Sequence, residues 1–355
     1  MTRFSAFDHA MMRRALALAA DGLFTTTPNP RVGAVVCAGE QILGEGWHQK
    51  AGGPHAEVVA LGQAGARAAG ATLYVSLEPC NHHGRTPPCV ELLIGRKISR
   101  VVAAMRDPNP QAARGGEALA AAGVRFEHGL MEEEASELNI GFVSRMTRAR
   151  PWVRLKVAAS LDGRSALPDG RSQWITGAAA RADAHRWRAR ACAILTGIGT
   201  VAADDPRLTV REVATPRQPL RVIVDSRLET PPKARILEGE RVLIFAARPG
   251  TAPANAEVVV LPNARQKVEL PAMLQELARR GVNELHVEAG FRLNGSLVRE
   301  GCVDEFLLYL NPSLLGDGQG MVDLAPLASL EGRLKLRLLS LERVGEDLRI
   351  VARPA

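Results

Sequence analysis

Lysine and aromatic side chains are scarce in this chain. Six lysines stand against 39 arginines, and four Trp, two Tyr and eight Phe make up only 4% of 355 residues. So few rings argue against a base-stacking surface for single-stranded nucleic acid. Cysteine is also sparse. Cys37, Cys80, Cys89, Cys192 and Cys302 are odd in number and widely spread, which does not suit a disulfide framework. No apolar run approaches the ~20 residues of a membrane span. The first residues place Asp8 and the pair Arg13-Arg14 where a signal peptide would carry an unbroken apolar stretch. These absences lead us to expect a cytoplasmic protein with reduced thiols.

What is present is ordinary for a globular chain: 46% hydrophobic and 23% charged residues. At roughly 100–200 residues per domain, the length suggests two domains. The net charge is +7 and the pI about 9.5. The arginine excess fits anionic substrates, because the guanidinium fork grips phosphate and carboxylate in a bidentate way. It equally fits a biased composition.

Periodicity predicts a helix at 5–21, a hairpin of strands 31–37 and 41–47, a helix at 55–63 and a strand at 72–77. Helix 89–96, strand 101–105, helix 115–122, strand 124–128 and one long helix over 130–148 follow. After the breaker Arg148-Ala149-Arg150-Pro151 the pattern restarts with a strand at 152–159. The second part alternates strands (192–196, 220–225, 242–246, 258–261, 284–288, 305–311) with helices (178–189, 271–280, 293–300). It ends in strands 335–343 and 347–352. Two α/β units divided near 150 are therefore expected.

In the first part, His55 and Glu57 are followed by Pro79-Cys80 and Pro88-Cys89. One imidazole and two thiolates suit Zn²⁺. Three protein ligands leave a fourth position open, as catalytic sites require. Glu57 is spare and suits proton transfer. A regular helix does not put residues 55 and 57 on one face, so the pairing needs the first helical turn. His-x-Glu followed by Pro-Cys matches the zinc nucleobase-deaminase signature, but that signature ends Cys-x-x-Cys, and eight residues separate Cys80 from Cys89. His82 and His83 are thus rival ligands. If one of them closes the coordination shell, the zinc is structural and the module binds without catalysing. A nucleic-acid editing deaminase is a further reading of the same residues.

In the second part, Gly197-Ile198-Gly199-Thr200-Val201-Ala202 has a dinucleotide-binding spacing. Asp204-Asp205-Pro206 leaves no room for the long helix a Rossmann unit needs. The turn at 287–296 joins a strand to a helix, whose first N–H groups can hold phosphate. Eight of the residues from 181 to 221 are Arg, and none is Lys.

The segments TPNPRVGAVV (27–36), HAE (55–57) and LEPCNHHGRTPPC (77–89) resemble the deaminase half of the bifunctional riboflavin-biosynthesis deaminase–reductases. In that family the long Cys–Cys insert is the normal form. LKVAASLDGR, SQWIT, AILTGIGTVAADDPRLTVR, VIVDS and VEAG resemble its reductase half. The resemblance spans nearly the whole chain, with 229–270 matching weakly. It implies a cytidine-deaminase-like α/β/α domain at 1–149 and a dihydrofolate-reductase-like α/β domain at 150–355.

The resemblance assigns Zn²⁺ to His55, Cys80 and Cys89, proton transfer to Glu57, and substrate contacts to Asn29, His83 and Arg85. It assigns NADPH to Ala158, Trp174, Thr200, Asp204, Ser226 and the turn Gly290, Phe291, Arg292, Leu293, Asn294, Gly295 and Ser296. Ser172, Arg188, Leu208, Arg211 and Glu288 would face the second substrate, with Arg188 and Arg211 suited to a ribose phosphate. The implied reactions are hydrolytic deamination of a 2,5-diamino-6-ribosylamino-pyrimidinone 5′-phosphate, then NADPH-dependent reduction of its ribosyl group to ribityl. The expected partners are a phosphorylated pyrimidine and further copies of the chain, not nucleic acid or a membrane.

Overall fold

The computed structural model describes residues 4–83 and 87–355. The chain divides into two units, one ending at Arg148 and one beginning at Ala149.

The first unit runs α1 (Ala6–Ala20), β1 (Gly33–Ala38), β2 (Gln41–Trp47), α2 (Ala56–Ala64), β3 (Thr72–Leu77), α3 (Cys89–Gly95), β4 (Arg100–Met105), α4 (Gly115–Ala121), β5 (Arg125–His128), α5 (Glu132–Leu138) and α6 (Ile140–Arg148). Its sheet has the order β2-β1-β3-β4-β5. The β1–β2 and β1–β3 pairs are antiparallel; β3–β4 and β4–β5 are parallel. Strand side chains alternate between faces. Ala34, Val36, Leu73, Val75, Val101 and Ala103 meet α2, α3 and α4 on one side. Val35, Tyr74, Val102 and Ala104 meet α1, α5 and α6 on the other. Both faces are covered, which explains why these strands read as continuous apolar runs.

The expected single helix over 130–148 is two helices. Asn139 sits between them with φ −107°. Its buried amide is committed elsewhere: Oδ1 accepts from Arg31 N at 2.8 Å, and Nδ2 donates to Arg31 O at 2.9 Å. That clamp ties the break to the loop carrying Asn29. Asn139→Ala would orphan a buried donor and acceptor at a cost of about 1–3 kcal/mol each. Chemical denaturation should therefore show a clearly lowered midpoint; a shift within experimental error would mean the loop holds itself.

The second unit runs β6 (Trp152–Ser160), β7 (Arg164–Ala166), α7 (Ala178–Arg190), β8 (Ala193–Gly197), α8 (Ile198–Asp204), β9 (Leu220–Val224), β10 (Val242–Ala246), β11 (Ala256–Val260), α9 (Leu270–Arg279), β12 (Glu284–Val287), α10 (Phe291–Arg299), β13 (Glu305–Asn311), β14 (Gln319–Gly320), β15 (Leu336–Val344) and β16 (Asp347–Pro354). Nine strands form one sheet, β11-β10-β9-β8-β12-β6-β13-β16-β15. The seven from β11 to β13 are parallel, and β16 and β15 close the end antiparallel. From β8 the chain moves outward to β11, then returns with β12 between β8 and β6. Open parallel sheets bind ligands beyond the carboxyl ends of their strands at such a reversal.

Sequence patterning passed over α8 and the short β7–β14 ribbon. α8 lasts about two turns and ends at Asp205, whose φ is +41°. Strands 192–196 and 258–261 were expected one to two residues out of place, within ordinary boundary uncertainty.

Candidate active sites

The depth of α2 in the first unit is set by two glycines under it. A Cβ on Gly44 would lie 2.2 Å from Ala60 O, and one on Gly46 2.7 Å from Ala56 O. The helix therefore lies flush on β2. His55 is its N-cap, with extended backbone (φ −71°, ψ 160°), and Glu57 is its second residue. This resolves the spacing problem, since the turn from extended to helical backbone lets both side chains enter one site. Cys80 follows β3 through Glu78-Pro79, and Cys89 opens α3.

Glu78 pins that loop. Its Oε1 accepts from Gly116 N at 2.8 Å and its Oε2 from Asp107 N at 3.1 Å. Its own N–H donates to Met105 O at 2.9 Å.

His55, Cys80 and Cys89 converge, with ligand atoms all within 4.8 Å of one another. His55 Nδ1 is 3.3 Å from Cys89 Sγ and 3.5 Å from Cys80 Sγ. Cys89 N donates to Cys80 Sγ at 3.4 Å, as amides commonly do to metal thiolates. The bonds to Cys89 and His55 pull the Cys80 thiol down, while the bond to Cys80 and burial hold Cys89 up. Neither His82 nor His83 joins the cluster among the described residues. One imidazole and two thiols packed this closely fit Zn²⁺.

Glu57 is 3% exposed and outside the ligand set. Burial raises its pKa, against the opposing pull of His55. His55, Cys80 and Glu57 open into a cavity of about 730 Å³ also lined by Asn29, His48, His82, Asp107 and Asn109, with Cys89 buried behind them. His48 Nδ1 faces Pro54 O at 2.9 Å, so that nitrogen carries the proton. Nε2 then accepts from Asn29 Nδ2 at 3.0 Å. The tautomer follows from these bonds. Burial lowers the His48 pKa and keeps the ring neutral. Burial, followed by the nearby carboxylate of Glu78, pushes Asp107 up to about 7 despite a bond from Asn109 N. Sequence reading passed over His48, Glu78 and Asp107. A paired Asp107-Pro108-Asn109-Pro110, echoing Pro28-Asn29-Pro30, was the available signal.

His83, expected at the substrate, instead pairs with Glu91 at 3.1 Å on the surface, while its neighbour His82 lines the cavity. Successive side chains of an extended loop point in opposite directions. Arg85 lies outside the described residues.

In the second unit, the turns after β8 and β12 come together. A Cβ on Gly197 would lie 3.1 Å from Leu293 Cδ2, and one on Gly290 3.5 Å from Thr200 Oγ1. Gly290 caps α10 with extended backbone, leaving the start of the helix open beside Thr200. That start fits a phosphate of a dinucleotide. Gln173 Nε2 reaches Asp204 Oδ1 at 3.5 Å, which brings the Trp174 segment to α8. Trp174 is exposed beneath the Arg181 guanidinium, 4.8 Å from its ring centre.

The rest of the turn is held by local contacts. Asn294 Nδ2 bonds Met321 O, Gly295 abuts the Asp323 backbone, and Ser296 Oγ bonds Arg292 O. Ser226 Oγ accepts from Val268 N at 3.3 Å. Ala158 lies on β6 opposite Tyr309, Leu208 is buried, and Ser172 is half-buried.

Arg188 and Glu288 form a bidentate pair at 2.5 and 2.9 Å, and Arg188 Nη1 donates to Thr209 O. The Arg188 fork is thus engaged by a carboxylate, leaving Arg211 as the exposed guanidinium of the two. Lys156 Nζ lies 3.9 Å from Glu288, and His185 Nδ1 accepts from Arg211 N at 3.3 Å. Glu288 is held well below the usual carboxylate range by Arg188 and Lys156, against strong burial. Burial, with Arg188 and Arg211 nearby, pushes His185 down to about 4. Lys156 and His185 were not anticipated. A rare lysine, two residues after Arg154 in a mostly apolar strand, was the missed signal.

A His–Cys–Cys cluster with one spare buried carboxylate, on an α/β/α layer, defines a zinc-dependent deaminase; the parallel sheet of the second unit is that of a nucleotide-dependent reductase. The comparisons with known proteins agree. Residues 5–105 match the cytidine and deoxycytidylate deaminase zinc-binding region, and 151–350 match the RibD C-terminal domain. The riboflavin biosynthesis protein RibD of Escherichia coli is 44% identical over 96% of this chain and 98% of its own length. That of Haemophilus influenzae is 44% identical over 100% and 99%. The solved structure of Acinetobacter baumannii RibD superposes with TM-score 0.93 at 41% identity, covering 98% of this chain and 99% of that one. The Thermotoga maritima diaminohydroxyphosphoribosylaminopyrimidine deaminase/5-amino-6-(5-phosphoribosylamino)uracil reductase gives 0.89 at 33%, with the same coverage.

The chain belongs to the RibD family, the bifunctional deaminase–reductases of riboflavin biosynthesis. It is accordingly both hydrolase and oxidoreductase, using Zn²⁺ and NADPH.

Proposed function

We propose that residues 1–149 deaminate the 2-amino group of a 2,5-diamino-6-ribosylamino-pyrimidinone 5′-phosphate, and that residues 150–355 reduce the ribosyl group of the product to ribityl. The observation that carries the first step is Glu57, buried beside the His55–Cys80–Cys89 cluster yet outside its ligand set. A zinc ion held by that trio supplies a Lewis acid that makes water nucleophilic near neutral pH. Glu57 takes the proton of the attacking water and returns it to the departing nitrogen. Asn29, fixed by neutral His48, holds the pyrimidine edge, and Asp107 faces it across the cavity. Metal analysis and ammonia release on one purified sample test this reading together.

NADPH supplies the hydride in the second step. Gly290–Leu293, with Thr200 alongside, would hold its phosphate, and Trp174, Asp204, Ala158 and Ser226 would contact the rest of the cofactor. Ser172, Leu208, Arg211 and the Arg188–Glu288 pair hold the ribosyl phosphate substrate. Because Glu288 engages Arg188, the substrate phosphate falls to Arg211. Arg211→Ala should raise the reductase KM about 10-fold or more, the loss of one charge-assisted contact of about 1.5–3 kcal/mol, with little change in kcat. An unchanged KM would place the phosphate elsewhere.

Five buried thiols and the absence, among the described residues, of any helix long and apolar enough to cross a membrane support action in the cytoplasm. The chain acts as a homo-oligomer on a small phosphorylated pyrimidine, without nucleic acid.

A further inference from the structure

The cavity of the first unit is rich in acid: Glu57, Glu78 and Asp107 all line it. The pyrimidine it is proposed to take ends in a phosphate, which carries about two negative charges at neutral pH and is repelled by such walls. An anion drawn out of water needs an opposite charge or a set of N–H donors. The start of α2 opens into the cavity, but it presents His55 and Glu57 there, where the reacting carbon must lie. His48 is kept neutral by burial, and its Nε2 is taken by Asn29. Among the described residues that line the cavity, Arg145 is the only lysine or arginine.

Arg145 lies in the last turn of α6 and is half-buried. Phe142 and Met146 of the same helix line the cavity with it. The guanidinium carbon is 6.0 Å from the centre of the Phe142 ring, which supports the fork from one side. Nη2 donates to Pro28 O at 3.4 Å, the carbonyl just before Asn29. An arginine offers five N–H donors, so a bond to one carbonyl and a bidentate grip on phosphate are compatible. Arg148, three residues on, is placed differently. Its Nε and Nη2 donate to Ser144 Oγ at 3.1 and 2.6 Å, and it does not line the cavity.

The position also suits the shape of the substrate. With Asn29 on the pyrimidine edge and the metal cluster at C2, the ribosylamino arm leaves from C6, across a ring nitrogen from C2, and so leads away from the metal. Arg145, bonded to the residue before Asn29, stands on the same wall. Asn139 clamps the start of α6 to Arg31, and Arg145 bonds Pro28, so two contacts fasten this helix to the loop that carries Asn29.

We propose that Arg145 binds the 5′-phosphate of the pyrimidine deaminated by residues 1–149, and so sets the preference of that step for the phosphorylated substrate over its dephosphorylated counterpart. The proposal rests on the deaminase reading above and adds the group that recognises the phosphate. The chain then has two separate phosphate anchors, Arg145 in the first unit and Arg211 in the second, and each can be removed without the other.

Arg145→Met keeps the stem beside Phe142 and removes the fork. In assays of ammonia release its KM for the 5′-phosphate should rise about 10-fold or more, with kcat little changed. For the dephosphorylated pyrimidine, wild type and variant should have the same KM, because the group Arg145 recognises is missing. Full zinc content would report that the metal cluster has formed. NADPH oxidation on the deaminated phosphate should keep its KM. Arg145→Lys retains the charge without the fork and should fall between wild type and Arg145→Met. It also carries the test if Arg145→Met loses its zinc. A KM that rises equally for both pyrimidines would make Arg145 a prop for the Asn29 loop and overturn the proposal. An unchanged KM for the phosphorylated substrate would overturn it as well and move the phosphate to another group, with Arg85 the first to test. No ammonia from wild type with either pyrimidine would instead refute the deaminase reading.

Discussion

Glu57→Gln should lower ammonia release by about 10²–10⁴-fold, the range of a positioned general acid–base. The amide has the shape of the carboxylate but cannot carry the proton. Glu57 contributes no ligand atom to the cluster, so the variant should retain its full zinc content by metal analysis. It should also still oxidise NADPH when given the deaminated pyrimidine, because the reductase residues belong to the other unit. This combination separates loss of proton transfer from loss of the metal or of the fold. Ammonia release close to wild type would remove Glu57 from its role and move proton transfer to another cavity group, with Asp107 the first candidate.

Arg154→Met should destabilise the reductase unit by about 3–5 kcal/mol, the usual cost of breaking a buried ion pair from one side. Arg154 is 1% exposed on the central strand β6. Its Nε meets Glu305 at 2.5 Å and its Nη1 meets Glu284 at 3.1 Å, while Trp187 covers the guanidinium with its ring centre 4.4 Å away. Arg190 and Arg353 reach the same two carboxylates, at 2.7 and 2.8 Å, from partly buried positions. They complete the network but cannot replace its centre. Methionine fills the volume and leaves two carboxylates facing each other in the core.

Urea unfolding followed by tryptophan fluorescence reads this well, since Trp152, Trp174 and Trp187 lie in the second unit and only Trp47 in the first. The loss should be larger at pH 8 than at pH 5. In the native chain the Glu305 pKa is depressed below 4.5, burial being outweighed by Arg154 and Arg353, so its contribution is present above that range and fades as pH falls through it. In the variant the orphaned carboxylates titrate higher, and mild acid neutralises them. A loss below about 1 kcal/mol would show that Arg190 and Arg353 suffice.

The metal trio and its spare carboxylate were legible because ligand chemistry restricts residue types, and Pro-Cys and His-x-Glu place those types in short, ordered strings. The strands were legible because both faces of each central strand are buried. The break at Asn139 was not, because a helical pattern continues through it and only Arg31, 108 residues away, claims its amide. His48 escaped for the same reason. A histidine after a strand carries no local mark, and its role comes from Pro54 and Asn29, which the fold brings to its two nitrogens. In the second unit, Arg188 and Arg211 looked equivalent in a run of arginines. They were separated only by Glu288, which arrives from a strand 100 residues on and takes one of the two.

The sequence by itself determined the two-part α/β plan, the donor set for zinc and the acid beside it, since residue type and short spacing are local properties. How α2 turns at His55 so that residues 55 and 57 share a site, and which arginine stays exposed, were decided by tertiary structure alone. Those outcomes depend on what distant segments place against each group, and burial and charge at a point in space follow from that company rather than from position along the chain.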